Sequence, residues 1–264
     1  MAEISASRYG EGVLCWADAQ LPDVEAGKRF YGELFGWTFG GSDESGGYAE
    51  SGGRGGSDER DAGPVTYGTS VWASKDGAPV AALSRKTDGR MPTVWTVYFA
   101  TPDAEALSRR ILAGGGQVVT APLPVGGLGT GALVADPEGA VFGLWQAGSH
   151  PGFGRLHEAG TFVWAQLYTR DTETADRFYG GLFHDALFGP SAVPDFGRAP
   201  VTDVFPAEMP PHFLVHFRVD DCDAAVEAVR RLGGRVLTPA FRTSYGRVAI
   251  VTDNQGASFA LLQR

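Results

Sequence analysis

One aromatic segment occurs twice in this chain, and the duplication limits what the chain can fold into. The first copy runs from Arg29 to Trp37 and reads RFYGELFGW, and the second begins at Arg177 and reads RFYGGLFH. The first copy lies at the end of a stretch with apolar residues at helical spacing, and an apolar, strand-like segment precedes each copy, at residues 12–18 and 161–168. Both halves of the protein are therefore predicted to open with a strand followed by a helix.

The repeat continues beyond this helix. Residues 92–99 match residues 211–217, and each segment is followed by a second helix that ends at glycines and then by a hairpin whose turn begins at Asp136 or Asp253. The order strand–helix–strand–strand–strand is thus predicted four times, beginning near residues 12, 92, 161 and 211, with the third copy the shortest and least regular. The chain is predicted to be an α+β protein with one domain at residues 1–148 and a second at residues 149–264. Modules 1 and 2 can pair with each other, as can 3 and 4, or the pairs can be 1 with 4 and 2 with 3.

Composition excludes several classes of function. The 264 residues are 43% hydrophobic and carry a formal net charge of -9, without a basic cluster, which argues against nucleic-acid binding. Apolar runs are too short to span a bilayer, and the N-terminus does not resemble a secretory signal. Cys15 and Cys222 lie in different halves on apolar segments, which favours buried free thiols. We expect a cytoplasmic protein, a monomer or homodimer, with no membrane partner.

The repeated FYG-x-LF segment and the turn sequence Asp-Pro-x-Gly-x-x-Phe at residues 136–142 resemble the vicinal-oxygen-chelate superfamily. Its members include glyoxalase I, bleomycin-resistance proteins and extradiol dioxygenases, and the chain looks most like tandem two-domain, glyoxalase-like proteins of actinobacteria. The resemblance covers nearly the whole chain. It implies four βαβββ modules that form two glyoxalase-like domains, each with a curved mixed sheet around a cleft.

Metal-dependent members of this superfamily hold an ion with His, Glu or Gln at set points on the opening and closing strands. This chain matches those points with residues that supply neither an imidazole nor a carboxylate: Trp16, Ala81, Thr96, Gly143, Trp164, Leu214 and Ala260. Only the third module leaves a candidate oxygen ligand, at Thr202 or Asp203. A catalytic divalent ion needs three or more N or O ligands. We therefore expect no metal and no other cofactor.

Strand alternation predicts which side chains face the clefts. In residues 213–219 the odd-numbered residues are apolar and should pack under the helix, which turns the even-numbered residues to the concave face. The same alternation turns Leu14 and Asp18 to that face in the first half. The ligand-binding candidates selected in this way are rich in aromatic side chains: Trp16, Tyr98, Trp145, Phe162, Trp164, Gln166, His212 and Arg218. Such walls suit a planar apolar ligand, although the same residues could equally form an ordinary core.

The favoured hypothesis is a metal-independent protein that binds a small hydrophobic or aromatic metabolite, with antibiotic sequestration or resistance as one form of it. The alternative is an enzyme, a glyoxalase-like lyase or a hydroxylase or dioxygenase, with His216, Asp203 and Tyr168 as acid/base groups. A third hypothesis is a scaffold that binds another protein.

Two further expectations concern the halves. They should share one fold but not one pocket, because the histidines all fall in the second half. The Gly-, Ser- and acid-rich segment at residues 40–63 is predicted to be a long loop, either without a role or acting as a lid.

Overall fold

The computed structural model describes residues 8–41, 70–86, 89, 92–190, 192, 195–206 and 208–264. The protein is α+β, with an eight-stranded and a six-stranded mixed sheet. The first half contains strands β1 (Leu14–Leu21), β2 (Thr38–Gly41), β3 (Val71–Lys75), β4 (Ala78–Arg85), β5 (Trp95–Ala100), β6 (Gln117–Val125), β7 (Gly129–Ala135) and β8 (Val141–Ala147), with helices α1 (Val24–Phe35) and α2 (Ala104–Ala113). The second half contains strands β9 (Phe162–Thr169), β10 (Phe196–Pro200), β11 (His212–Val219), β12 (Arg235–Thr243), β13 (Gly246–Thr252) and β14 (Ser258–Gln263), with helices α3 (Thr172–Leu187) and α4 (Cys222–Arg231).

Strand pairing shows which modules share a sheet. The first sheet has the order β2-β3-β4-β1-β5-β8-β7-β6, and the second has the order β10-β9-β11-β14-β13-β12. The opening strands of modules 1 and 2, β1 and β5, are antiparallel neighbours, as are β9 and β11 in the second sheet. Module 1 therefore pairs with module 2, and module 3 with module 4.

The third module is shorter than the sequence pattern predicts. It consists of β9, α3 and β10, and β10 runs parallel to β9 just as β4 runs parallel to β1. The connection at residues 188–195 is too short for two further strands, and its described part contains none. The strand–helix–strand–strand–strand order was predicted for all four modules. It is wrong for module 3, because its described residues contain no counterparts of β2 and β3.

The repeated segment forms α1 and α3, as predicted. Asp23 precedes α1 and its side chain accepts a hydrogen bond from the amide of Ala26, and Gly36 ends the helix in the left-handed conformation with φ 70°. Asp171 caps α3 in the same way. The buried face of α1 carries Phe30 and Tyr31 from the repeated segment. The local signals and the apolar face thus agree on one helix in each half.

The helix-bearing faces of the two sheets pack against each other and share one aromatic core. Phe35 of α1 lies 5.0 Å from Phe217 of the second sheet, and Phe183 of α3 stacks on Phe99 of the first sheet at 4.9 Å between ring centroids. The larger hydrophobic core therefore lies between the halves. Both cysteines are buried free thiols, as expected.

The repeated tyrosines connect each helix to the turn of the other half. The hydroxyl of Tyr31 donates to Asp253 at 2.9 Å, and that of Tyr179 donates to Asp136 at 3.2 Å. The other carboxylate oxygen of Asp136 accepts two amide hydrogens of its own turn, each at 2.9 Å. We call these two contacts the crossed Tyr–Asp pairs.

The face of each sheet opposite the helices is here called the outer face, and it corresponds to the predicted concave face. The two outer faces point away from each other because the helices lie between the sheets. Of the predicted loop at residues 40–63, the first two residues end β2, and residues 42–63 lie outside the described part of the chain. Among the described residues, none of the helices has the length and apolar character needed to cross a membrane.

Candidate functional site

A pocket lies on the outer face of the first sheet. Its walls are aromatic, with Trp16, Trp72, Tyr98 and Trp145 among its lining residues, and its volume is ≈ 60 Å³. Three polar side chains, Asp18, Ser70 and His150, also line it. The pocket therefore offers a mostly apolar surface with few polar contact points, as sites for small organic ligands do, but it is smaller than such sites usually are.

Strand register brings the pocket residues together. Trp16 on β1 is the cross-strand partner of Tyr98 on β5, and Tyr98 is in turn opposite Gly143 on β8. A Cβ atom at Gly143 would lie 2.0 Å from a carbon of the Tyr98 ring. Metal-dependent relatives of this fold are expected to carry a carboxylate at this point. Gly143 instead leaves room for the tyrosine ring.

Asp18 is the carboxyl group of the pocket. It is 6% exposed, and its Oδ2 atom accepts a hydrogen bond from the Tyr98 hydroxyl at 2.9 Å. Its Oδ1 atom is buried and has no hydrogen-bond partner among the described residues. Burial raises the pKa of Asp18 to about 7, although the hydrogen bond from Tyr98 acts in the opposite direction. The protonated and ionised forms of this carboxyl are therefore both accessible near neutral pH.

His150 comes from the segment that joins the two sheets. Its ring lies 4.4 Å from Trp16 and 4.3 Å from Trp72 between centroids, and its carbonyl oxygen accepts a hydrogen bond from the Trp145 indole at 2.8 Å. Its buried Nε2 atom has no partner among the described residues. Burial lowers the pKa of His150 to about 4, so that the imidazole is neutral at physiological pH.

The joining segment is fixed to the first sheet. The amide of His150 donates to the carbonyl of Leu128 at 3.0 Å, and the amide of Phe153 donates to the carbonyl of Cys15 at 2.8 Å. The expectation that the histidines serve only the second half is therefore wrong, because backbone hydrogen bonds hold His150 in the first pocket.

The outer face of the second sheet is filled by the protein itself. After β10 the chain forms a 3-10 turn at Val201–Asp203, and Phe205 then packs over the sheet, 5.0 Å from Tyr168 and 4.8 Å from His212 between ring centroids. Aliphatic side chains of the sheet complete this second cluster: Val163, Leu214, Val248, Ile250, Ala260 and Leu262.

The predicted acid/base residues belong to this filled face. His216 is 1% exposed, its Nδ1 atom lies 3.1 Å from the carbonyl of Leu214, and burial lowers its pKa to about 4. Burial raises the pKa of Tyr168, which packs on Phe205, whereas Asp203 is exposed in the 3-10 turn. The described hydrogen bonds do not join these three groups. Thr202 and Asp203, the candidate oxygen ligands of the third module, lie in the 3-10 turn that follows the end of β10 at Pro200.

The ligand-binding candidates divide between the two faces. Trp16, Tyr98 and Trp145 come together in the pocket, as the alternation predicted. Phe162 does not face a cleft: a register irregularity between His216 and Phe217 shifts the pairing of β11 with β9. As a result Phe162 stacks on Phe153 in the shared core at 4.9 Å. A β-bulge of this kind reverses the alternation of side chains, which sequence spacing alone does not reveal.

The remaining candidates lie on the second sheet, away from the pocket. The Trp164 indole donates to Gln166 at 3.1 Å, and its ring stacks on Tyr245. His212 stacks on Tyr168, and Arg218 donates to the carbonyl of His157 at 2.7 Å. Sequence reasoning did not select Trp72 or His150 and gave Asp18 no role, although the alternation had turned Asp18 to the correct face.

The donors of the pocket do not fit the metal that the fold implies. In the described part of the chain there is no group of three or more His, Cys, Asp or Glu side chains that could hold an ion. Asp18 and His150 are the carboxyl and imidazole that line the pocket, and Trp16 and Gly143 occupy points expected to carry ligands. Two donors fall short of the three that a catalytic divalent ion needs.

Comparison with known proteins agrees with this architecture. A family model described as "Glyoxalase/Bleomycin resistance protein/Dioxygenase superfamily" matches residues 15–144. A Mycobacterium bovis protein named "Putative glyoxylase CFP32" is 34% identical, with 97% of each chain covered. The anthracycline biosynthesis protein DauV of Streptomyces sp. is also 34% identical, over 97% of this chain and 95% of DauV.

Solved structures show the same fold at low sequence identity. The Mn(II)-bound glyoxalase from Novosphingobium aromaticivorans superposes with a TM-score of 0.58 at 16% identity, over 96% of this chain and 83% of the glyoxalase. Three findings agree on the family of this chain. Two modules pair in each sheet, the family model matches, and the relatives align over nearly their full length. This chain belongs to the glyoxalase/bleomycin resistance protein/dioxygenase superfamily.

Proposed function

We propose that this chain is a metal-independent glyoxalase-fold protein that binds a small aromatic or hydrophobic metabolite on the outer face of its first sheet. The observation that carries the proposal is the pocket whose walls include the indoles of Trp16, Trp72 and Trp145. Indole walls bind planar apolar ligands by burial and stacking. The corresponding outer face of the second sheet is filled with side chains.

The names of relatives support an aromatic ligand. The Streptomyces relative is named for anthracycline biosynthesis, and anthracyclines are built on fused planar rings. Part of a fused ring system could enter between the indoles while the rest remained outside the pocket. Sequestration of such a compound, as in antibiotic resistance, would require binding alone and no chemical step.

Binding is tested by fluorescence titration and native mass spectrometry. A planar aromatic probe such as naphthalene should quench tryptophan fluorescence, and Trp16→Ala should weaken its binding by about 1–3 kcal/mol, the value of a buried aromatic contact. A native mass spectrum of the freshly purified protein reports any ligand that co-purifies. Unchanged affinity in Trp16→Ala would contradict the proposal.

Metal independence is tested separately. Elemental analysis after purification without a His-tag should find less than one zinc, nickel, iron or manganese per chain, and dialysis against a chelator should leave probe binding unchanged. One tightly held ion per chain that is lost in Asp18→Asn or His150→Phe would reject this part of the proposal.

An enzyme is the second candidate, and Asp18 is the observation that favours it. A carboxyl with a pKa of about 7 in an aromatic pocket has the properties of a general acid or base. A glyoxalase-like lyase would use it to move a proton on the bound ligand while Tyr98 holds the other carboxyl oxygen. Turnover that is abolished in Asp18→Asn with ligand binding retained would favour this candidate over simple binding.

A further inference from the structure

Two buried polar atoms lack partners in the pocket. Asp18 Oδ1 and His150 Nε2 have no hydrogen-bond partner among the described residues, and their side chains line the same pocket. The residues are 6% and 4% exposed. Buried polar groups are nearly always paired, because leaving one unpaired costs free energy. Their shared position therefore indicates that an occupant of the pocket supplies the partners.

The two atoms come from independent elements. Asp18 lies on β1, and its other oxygen is already held by the hydroxyl of Tyr98. His150 lies in the joining segment, where the Leu128 carbonyl fixes its backbone and two indole rings hold its imidazole. Both side chains are therefore held in place at the pocket.

The chemistry of the two atoms specifies the ligand. When Asp18 is ionised it can only accept hydrogen bonds, so that one oxygen accepts from Tyr98 and the second can accept from a hydroxyl in the same manner. A neutral imidazole nitrogen can donate to or accept from a second oxygen substituent, according to its tautomer. The other lining residues are mostly aromatic or aliphatic, and Ser70 adds one further polar side chain.

We propose that the pocket selects planar aromatic compounds that carry at least two oxygen substituents, one of them a hydroxyl that donates to Asp18 Oδ1 and the other bonded to His150 Nε2. This inference rests on the proposed binding function and narrows its ligand class. It separates phenolic ligands from hydrocarbons of the same shape.

The first test compares probes that differ only at one substituent. We expect the full-length protein to bind 2-naphthol about tenfold more tightly than 2-methylnaphthalene at pH 8, because a hydrogen bond to an ionised group has at least this effect. Asp18→Leu should remove the preference, and Asp18→Asn, whose side chain is closer in shape to the carboxyl, should reduce it. Thr252→Val is the matched control, because it removes another unpartnered buried oxygen, in β13 of the second sheet.

The second test addresses His150. Among the dihydroxynaphthalene isomers, at least one should bind about tenfold more tightly than 2-naphthol, and His150→Phe, which keeps a ring between the indoles, should remove that additional gain. Equal binding of 2-naphthol and 2-methylnaphthalene, or a preference that survives in Asp18→Leu, would overturn the inference while leaving the binding function intact. Failure of every naphthalene to quench tryptophan fluorescence would reject both. A gain for 2-methoxynaphthalene equal to that for 2-naphthol would show that Asp18 donates, which contradicts the assignment of the hydroxyl.

Discussion

The outer faces of the two sheets carry corresponding residues but differ in what covers them. Trp16 and Asp18 on β1 correspond to Trp164 and Gln166 on β9, yet the first pair lines a pocket and the second lies on a face that Phe205 helps to fill. The first sheet is extended by β2 and β3, and β3 supplies Trp72 as a pocket wall. The described residues of module 3 include no counterparts of these strands, and the segment after β10 packs over the sheet instead. The presence of two edge strands, rather than the residues of the opening strand, thus distinguishes the open face from the filled one.

The largest expected effect concerns the filling of the second face. Phe205→Ala should lower the free energy of unfolding by about 3–5 kcal/mol, because it leaves a cavity in a packed cluster. Trp72→Ala, at a half-buried pocket wall, should cost distinctly less. Urea denaturation of both variants measures the difference. Equal losses would mean that the first face is as tightly packed as the second.

Asp18 should make the protein less stable as the pH rises from acid to neutral. Its pKa is raised from 3.8 to about 7 on folding, so the folded state binds more protons in this window and the contribution to stability is lost as pH rises from about 4 to 7. Relative to wild type, Asp18→Asn should therefore gain up to about 4 kcal/mol between pH 4 and pH 8. Denaturation curves at several pH values test this expectation. A pH-independent difference would show that Asp18 is not buried as described.

His216 should have the opposite effect in the second half. Burial lowers its pKa from 6.5 to about 4, so the unfolded state binds the proton first and stability is lost as pH falls from about 6.5 to 4. The loss from this group should reach about 3 kcal/mol. His216→Gln should remove this part of the acid sensitivity, as seen by comparing denaturation midpoints at pH 7 and pH 4.5. The same acid sensitivity in the variant and in wild type would contradict it.

The smallest effect compares the corresponding tryptophans. Trp16→Ala should weaken binding of a planar aromatic probe by about 1–3 kcal/mol, while Trp164→Ala should leave the affinity nearly unchanged. Fluorescence of the remaining tryptophans or calorimetry measures both. Weaker binding only in Trp164→Ala would move the ligand site to the second half and reverse the comparison.

The sequence predicted the repeated helices and much of the first pocket. The alternation of apolar and polar residues placed Trp16, Tyr98 and Trp145 on one face, because regular strands keep a period of two. Phe162 was misplaced because a bulge interrupts that period. A bulge depends on the pairing of two strands that are distant in the sequence, so spacing within one strand carries no sign of it.

Other parts of the site depend on tertiary contacts. His150 reaches the pocket through backbone hydrogen bonds to β-strand residues and their neighbours, which no local pattern encodes. Asp18 was turned to the correct face, but its raised pKa results from burial among side chains of several strands. The filled second face follows from the shortened third module, whose irregular pattern was visible in the sequence but did not reveal where the chain goes after β10.

The crossed Tyr–Asp pairs affect how the two repeats can exist apart. Each half carries one tyrosine, on its first helix, and one aspartate, in its last turn. The first half has Tyr31 and Asp136, and the second half has Tyr179 and Asp253. The hydrogen bonds, however, run only between halves. A single repeat produced alone would therefore expose an aromatic face and an unsatisfied turn, and a second copy of itself could cover both. Such a homodimer would pair its two copies as the tandem chain pairs its halves, through the same two hydrogen bonds.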